Sequence, residues 1–262
     1  LDAMRICAKT GVLVCCHCED PSLAERAREL RTAALADPGN SATLYTKVER
    51  LLRLAEDTLT YRNLALAEEA GCRVHIDHLS TIGSLAAVRA AKQRRSGVSC
   101  EVTPHHLALT AESPEIVNPP LRHEEDRMAL IRGLSDGTID AIATDHAPHH
   151  YDAKEREFDD APNGIIGLET ALSIALRELV QPGLLSLSTL IERMSTAPAK
   201  LWHLEGGTLR LGGVADLVVF DPAATWTVDP ARFRSKSRNT PWAGEILPGV
   251  VRWTLVGGRA VY

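Results

Sequence analysis

Short apolar runs alternate along this chain with longer stretches whose apolar positions recur at helical spacing. Val12-Leu13-Val14-Cys15-Cys16-His17, Cys72-Arg73-Val74-His75-Ile76-Asp77-His78, Val98-Ser99-Cys100-Glu101-Val102 and Gly137-Thr138-Ile139-Asp140-Ala141-Ile142 read as strands. Asp20-Pro21 offers an N-cap and a first-turn proline to the helix that follows. Residues 41–70 read as mostly helical after the breaker Asp37-Pro38-Gly39-Asn40. Residues 82–95 form an Ala-rich helix capped by Ser80 or Thr81, and 124–135 a further helix after a long excursion over 104–123. Ile165, Leu168, Leu172, Leu176 and Leu179 mark one face of a helix.

Strands separated by helical runs argue for a parallel sheet with right-handed crossovers, hence an α/β fold. Four strand–helix units make either half of an eight-fold barrel or a small doubly wound sheet. Polar residues at the strand ends favour the half-barrel, because in a parallel barrel those ends face the active site. After Gly206-Gly207 the texture changes. Val214-Ala215-Asp216-Leu217-Val218-Val219-Phe220-Asp221-Pro222 reads as a strand between turns, and Gly257-Gly258 as the turn of a hairpin joining Val251–Val256 to Arg259–Tyr262. The expected organisation is a half-barrel over 1–205 followed by a small β-module over 206–262.

With 262 residues, 45% of them hydrophobic, the chain can bury a sizeable core. A net charge of −5 without any basic block, despite 23 Arg against 6 Lys, speaks against nucleic acid as a partner. No apolar stretch reaches the roughly 20 residues of a membrane span. The six cysteines lie in apolar, strand-like runs without a CxxC pair, and are expected to be buried, reduced thiols of a cytoplasmic protein. Cys16 and Cys18 flank His17, but strand neighbours point to opposite faces, so a shared thiolate site is not expected. The chain opens on Leu1-Asp2-Ala3-Met4-Arg5-Ile6, which reads as an amphipathic helix with neither an initiator methionine nor a signal-peptide pattern. A fragment or a processed product is expected.

Three strands end in a candidate metal ligand: His17, His78 and Asp145, the last in Ala143-Thr144-Asp145-His146-Ala147-Pro148-His149-His150. Hydrolytic metal sites on barrels need imidazoles and carboxylates converging from several strand ends. His75 and His78 are three apart, so on a regular strand only one faces the site. His78, at the exit, is the expected ligand and His75 a structural residue. Asp20 is expected to be the helix cap rather than a partner of Glu19 in a carboxylate pair. His105, His106 and Arg122 read equally as site-lining or structural. His123, His150, His203 and the run Lys154-Glu155-Arg156-Glu157 read as solvent-facing.

His17-Cys18-Glu19-Asp20, His78-Leu79-Ser80-Thr81, Thr103-Pro104-His105-His106-Leu107, Asn118-Pro119-Pro120-Leu121-Arg122, Thr144–His149 and Ala161–Thr170 together resemble the bacterial (class I) dihydroorotases of the amidohydrolase superfamily. Ala215-Asp216-Leu217-Val218 and Asn239-Thr240-Pro241 continue the resemblance over essentially the whole chain. It implies strands 5–8 of a (β/α)8 TIM-type barrel, with the β-module forming part of a composite β-sandwich. It also implies reversible conversion of dihydroorotate to N-carbamoyl-L-aspartate in pyrimidine synthesis, by a hydroxide held between two metals, usually zinc. His17 and His78 would bind the second metal. Asp145 would bind the first and act as catalytic proton shuttle. Asn118 and His149 would hold the substrate, Pro162, Asn163 and Gly164 would offer it backbone groups, and 149–163 would form a lid. The partner is a small-molecule substrate. A homodimer and a complex with aspartate carbamoyltransferase are both compatible with the resemblance. Hydantoinases and dihydropyrimidinases are the nearest alternative, and a non-catalytic scaffold for aspartate carbamoyltransferase the next.

The resemblance also implies a His-x-His-x-Arg segment on the first barrel strand and a bridging carboxylate on the fourth. This chain holds no His-x-His. Both ligands of that segment, the bridging ligand and the substrate-binding arginine are therefore expected to be missing. The 262-residue chain alone should hydrolyse dihydroorotate in the presence of zinc only at background rate. Full turnover in that assay would contradict the expectation.

Overall fold

The computed structural model describes residues 1–156 and 161–262 and divides into two units, Leu1–Glu101 and Val102–Tyr262. Residues 157–160, inside the expected lid, lie outside the described residues.

In the first unit the elements run α1 (Asp2–Thr10), β1 (Val14–Cys16), α2 (Pro21–Ala36), α3 (Ser41–Ala70), β2 (Val74–Ile76), α4 (Ile82–Arg94) and β3 (Val98–Val102, whose last residue opens the second unit). The strands are parallel, in the order β1-β2-β3, with Val14, Val74 and Val98 in one row and Cys15, His75 and Ser99 in the next. This confirms the α/β class. Alternation then puts Val74, Ile76, Val98 and Cys100, all buried, on one face. The polar face carries Cys15, His75 and Ser99. Helix starts follow the capping chemistry: the Asp20 carboxylate accepts N–H bonds from Ser22 and Leu23, and Thr81, not Ser80, caps α4 through Ser84 N–H. Although α3 is 30 residues long, it mixes charged and apolar positions, and no helix among the described residues is long and apolar enough to cross a membrane.

The second unit continues with α5 (Pro104–Ala108), α6 (Glu124–Ser135), β4 (Ala141–Ile142), α7 (Tyr151–Lys154) and α8 (Ala171–Ala175), the last running on through π-helical turns over Leu176–Val180. Next come α9 (Leu187–Ile191), more π-helical turns over Glu192–Thr196, and α10 (Ala197–Leu201). The chain closes on an antiparallel sheet, β5 (Leu217–Thr227), β6 (Ile246–Val256) and β7 (Arg259–Ala260), in that order. The Gly257-Gly258 hairpin forms as expected, pairing Val256 with Arg259. Ile166, Ile174, Val228, Phe233, Trp242 and Leu247 pack into one core cluster.

Several sequence expectations are corrected. The helix marked from Ile165 starts only at Ala171. Ile165 C=O accepts from Ala147 N–H and Ile166 N–H donates to Asn239 C=O, so neither residue has its backbone free for helical bonding, and Leu168 is left exposed. Asp221-Pro222 does not end its strand. The Asp221 carboxylate accepts from Ala223 and Ala224 N–H, which absorbs an irregularity in the register, and β5 continues to Thr227. All six cysteines are free thiols, but only Cys18, Cys72 and Cys100 are buried. Cys15 is exposed because it sits on the polar face of the edge strand β1.

At the matching irregularity in β6, Gly249 has φ +88°, and a Cβ there would run into the Leu176 side chain. Gly249→Ala should therefore combine left-handed strain with overpacking and cost about 2–4 kcal/mol. Urea unfolding measures this, and an unchanged midpoint would contradict the arrangement.

Candidate metal and substrate site

The first unit brings two of the expected ligands together. β1 delivers His17 one residue past Cys16, and β2 ends at Ile76, two residues before His78. His17 Nδ1 lies 2.9 Å from His78 Nε2, with the rings edge to face. Strand parity does not reach His78, because its backbone is left-handed, with φ +33°. That conformation costs a non-glycine residue about 1–3 kcal/mol and marks sites where geometry serves something other than stability. The flanks hold it: Asp77 N–H donates to Cys16 C=O at 3.1 Å and Leu79 N–H to Glu101 C=O at 2.9 Å.

The pair fits a cation. Two facing imidazole nitrogens either share one N–H or turn both lone pairs to a common metal. His78 Nδ1 is buried and has no partner among the described residues. The second arrangement leaves both facing nitrogens as ligands and Nδ1 as the protonated position. The flanking thiols do not join the pair. Burial, with smaller contributions from Cys18 and Asp77, pushes the Cys16 thiol up to about 12. Cys18 donates to Cys16 C=O and accepts from Asn63. Glu19 approaches His17 Nε2 at 3.8 Å.

His75 is fully buried and stands apart from the His17–His78 contact. Ser99 Oγ stands 2.8 Å from Nδ1 and Glu101 Oε2 accepts from Nε2–H at 3.1 Å, so both ring nitrogens have a partner. The ligand atoms of His75, Asp77 and Glu101 lie within 4.8 Å of one another, a group that could hold a metal ion. Burial first, and then the Glu101 charge, raises Asp77 above the ordinary carboxylate range.

The second unit holds the other expected residues. Asp145 follows β4 and, like His78, is left-handed, with φ +45°. Its neighbour His146 anchors the turn, Nδ1 accepting from Gly167 N–H at 3.1 Å and Leu168 N–H at 3.3 Å. His149 Nε2 donates to Asn163 C=O at 2.8 Å. Lys154 donates to the carbonyls of Pro162 (3.0 Å) and Gly164 (3.1 Å), and Asn239 to those of Ala147 and Gly164, both at 3.0 Å. Gly164, at φ +115°, lets its backbone approach Ala147 where a Cβ would collide. Asn118 precedes a cis peptide bond to Pro119, whose carbonyl accepts from His106 Nε2 at 3.0 Å. His149, Asn163, Pro162 and Gly164 thus form one hydrogen-bonded group. His106 is a support for the Asn118-Pro119 segment.

Some site residues had no clear sign in the sequence. Lys154, expected to face solvent, is half-buried, its ammonium spent on the 162–164 turn. His146 and Asn239 lie in motifs that carry the resemblance, but nothing in their spacing indicates which backbone groups they bind.

The profile of the amidohydrolase family matches residues 1–261. A protein from Trichlorobacter lovleyi named dihydroorotase is 43% identical over 99% of this chain and 60% of its own length. A dihydroorotase from Anaeromyxobacter sp. (strain K) is 51% identical over 79% of this chain and 50% of its own. Among solved structures, the L-hydantoinase (dihydropyrimidinase) from Arthrobacter aurescens superposes with a TM-score of 0.89 at 31% identity, covering 98% of this chain and 58% of that one. The chain therefore spans between half and three fifths of the length of these relatives.

Calorimetric titration with Zn²⁺ tests the histidine pair. His17→Ala and His78→Ala should each weaken binding about tenfold or more. Native affinity in both variants would exclude the pair as a metal site.

Proposed function

The chain belongs to the amidohydrolase family, and on that premise we propose that it is the dihydroorotase-type catalytic portion of a cyclic-amide hydrolase, converting dihydroorotate to N-carbamoyl-L-aspartate and back. The supporting observation is the 43% identity, over 99% of the chain, to a protein named dihydroorotase. In this reading residues 1–205 are strands 5–8 of the barrel with their helices, and 206–262 the β-module of a composite sandwich. The reading extends to zinc as the metal, a cytoplasmic enzyme, and assembly as a homodimer or with aspartate carbamoyltransferase.

Members of this family are generally metal-dependent. When bound, the metals would polarise the ring carbonyl and acidify water. His17 and His78 would hold one metal, and Asp145 another. The carboxylate of Asp145 then takes the proton of the attacking water. The ring C–N bond breaks, and the same proton passes to the leaving nitrogen. Asn118 and His149 orient the substrate, together with the backbone of Pro162, Asn163 and Gly164. A substrate carboxylate at His149 takes the place of the Asn163 carbonyl that its Nε2–H now meets.

The likeness to a hydantoinase at a TM-score of 0.89 supports one rival, a hydantoinase or dihydropyrimidinase activity. Both are tested by assaying the complete catalytic polypeptide that contains this chain on dihydroorotate, dihydrouracil and hydantoin. Dihydroorotate should be turned over at least tenfold faster than the other two, which is a transition-state difference of about 1.4 kcal/mol. A preference for hydantoin or dihydrouracil would overturn the assignment. In the same polypeptide Asp145→Asn should lower kcat by about 10²–10⁴-fold, the range expected for a lost acid–base group. Near-native kcat would remove Asp145 from the role.

A further inference from the structure

One stretch of α3 reaches both loops that carry the paired histidines. Ala55 C=O accepts from Asp20 N–H at 3.0 Å, closing the loop after His17. Two turns further on, Asn63 donates to Cys18 Sγ at 3.5 Å. On the other side, Glu56 accepts from Ser80 N–H at 2.9 Å and Thr81 N–H at 3.1 Å, and the Ser80 hydroxyl makes a further short bond to its second oxygen. Asp57 accepts from Thr81 Oγ1 at 2.5 Å and Ser84 Oγ at 3.0 Å.

Glu56 is only 4% exposed, and a carboxylate so far from water is tolerated only where its lone pairs are met by donors. Ser80 and Thr81, the two residues after His78-Leu79, supply it with both of their N–H groups and the Ser80 hydroxyl. They are not needed to start α4, because Thr81 already caps that helix through Ser84 N–H at 3.0 Å. What Glu56 fixes is the passage between Ile76, where β2 ends, and Ile82, where α4 begins. His78 lies within that passage, in the left-handed conformation that turns its ring towards His17. Leu79 is held from the strand side by Glu101 C=O, and Ser80 and Thr81 from the helix side by Glu56. Without the second anchor the turn can relax towards ordinary backbone, and Nε2 swings away from His17 Nδ1.

We infer that Glu56 is a positioning residue for the metal-binding pair. Through Ser80 and Thr81 it holds His78 Nε2 facing His17 Nδ1. This inference rests on the proposed metal role of that pair.

The test is Zn²⁺ calorimetry on the native chain and on Glu56→Ala, Glu56→Gln, His78→Ala and Leu59→Ala, with thermal unfolding of each. Glu56→Ala should bind Zn²⁺ about tenfold or more weakly, the effect typical of losing a group that orients a ligand. Glu56→Gln should stay within about threefold, since its amide oxygen keeps both N–H bonds and its NH₂ can donate to Ser80 Oγ. Leu59→Ala removes a buried side chain one turn along the same helix and should lower stability while leaving affinity native. Native affinity in Glu56→Ala, or an equal loss in Leu59→Ala, would overturn the inference. If Glu56→Ala does not fold, Glu56→Asp replaces it with the same expected loss, its shorter stem withdrawing the carboxylate from Ser80 and Thr81. Zn²⁺ binding that His78→Ala abolishes and Glu56→Ala retains would sink the positioning role alone. A native chain that binds no Zn²⁺ would sink the metal role as well.

Discussion

The site chemistry depends on a backbone constraint: an expected ligand sits where a short parallel strand has just ended, in a conformation that its residue type disfavours. His78 and Asp145 both have positive φ, and His203 is the only other non-glycine residue with one among those described. A regular strand would aim successive side chains to opposite faces and could not bring His78 to His17, because His75 already occupies the polar face of β2. The left-handed turn frees the ligand from strand parity. That geometry is unfavourable by itself, so the surrounding hydrogen bonds have to supply the compensation.

In both units that compensation includes side chains bound to backbone. Around His78 the anchors are Glu56 on Ser80 and Thr81, and the Glu101 carbonyl on Leu79. After Asp145, His146 receives two amides of the Gly167-Leu168 turn, and Asn239 ties Ala147 to Gly164. A side chain bound to backbone constrains the path of a loop without occupying the face where a substrate or metal would lie. The same logic accounts for Lys154, whose half-buried ammonium is spent on the carbonyls of Pro162 and Gly164.

The sequence was most legible where structure is local. Asp20-Pro21 announces a capped helix, 124–135 forms the helix its spacing predicts, and Gly257-Gly258 turns the hairpin. Each depends on neighbours within a few residues, which is the range a spacing pattern can report. Expectations failed where a distant backbone partner intervened. Ile165 and Leu168 have helical spacing, yet Ile165 C=O and Ile166 N–H are taken by Ala147 and Asn239, and the helix starts only at Ala171. Asp221-Pro222 looks like a stop signal, but it is a kink inside a strand that goes on pairing with β6. For the site, the residue types at the strand ends were readable, and His78 does stand against His17. Strand parity was the wrong way to compare it with His75, because His75 is a satisfied buried residue on β2 while His78 has left the strand altogether.

Glu56 shows why supports of this kind escape a reading by pattern. In sequence it is one charge among many in Leu51-Leu52-Arg53-Leu54-Ala55-Glu56-Asp57, and a charge on a long helix is by default a solvated one. Its environment is set by Ser80 and Thr81, more than twenty positions away, and both of those residues have a ready local explanation as helix caps. Only the three-dimensional pairing separates the two roles. Thr81 caps α4, Ser80 does not, and the backbone N–H groups of both, with the Ser80 hydroxyl, converge on one buried carboxylate. A buried carboxylate that takes its donors from the residues flanking a strained histidine is better explained by the geometry of that histidine than by the stability of the helix that carries the carboxylate.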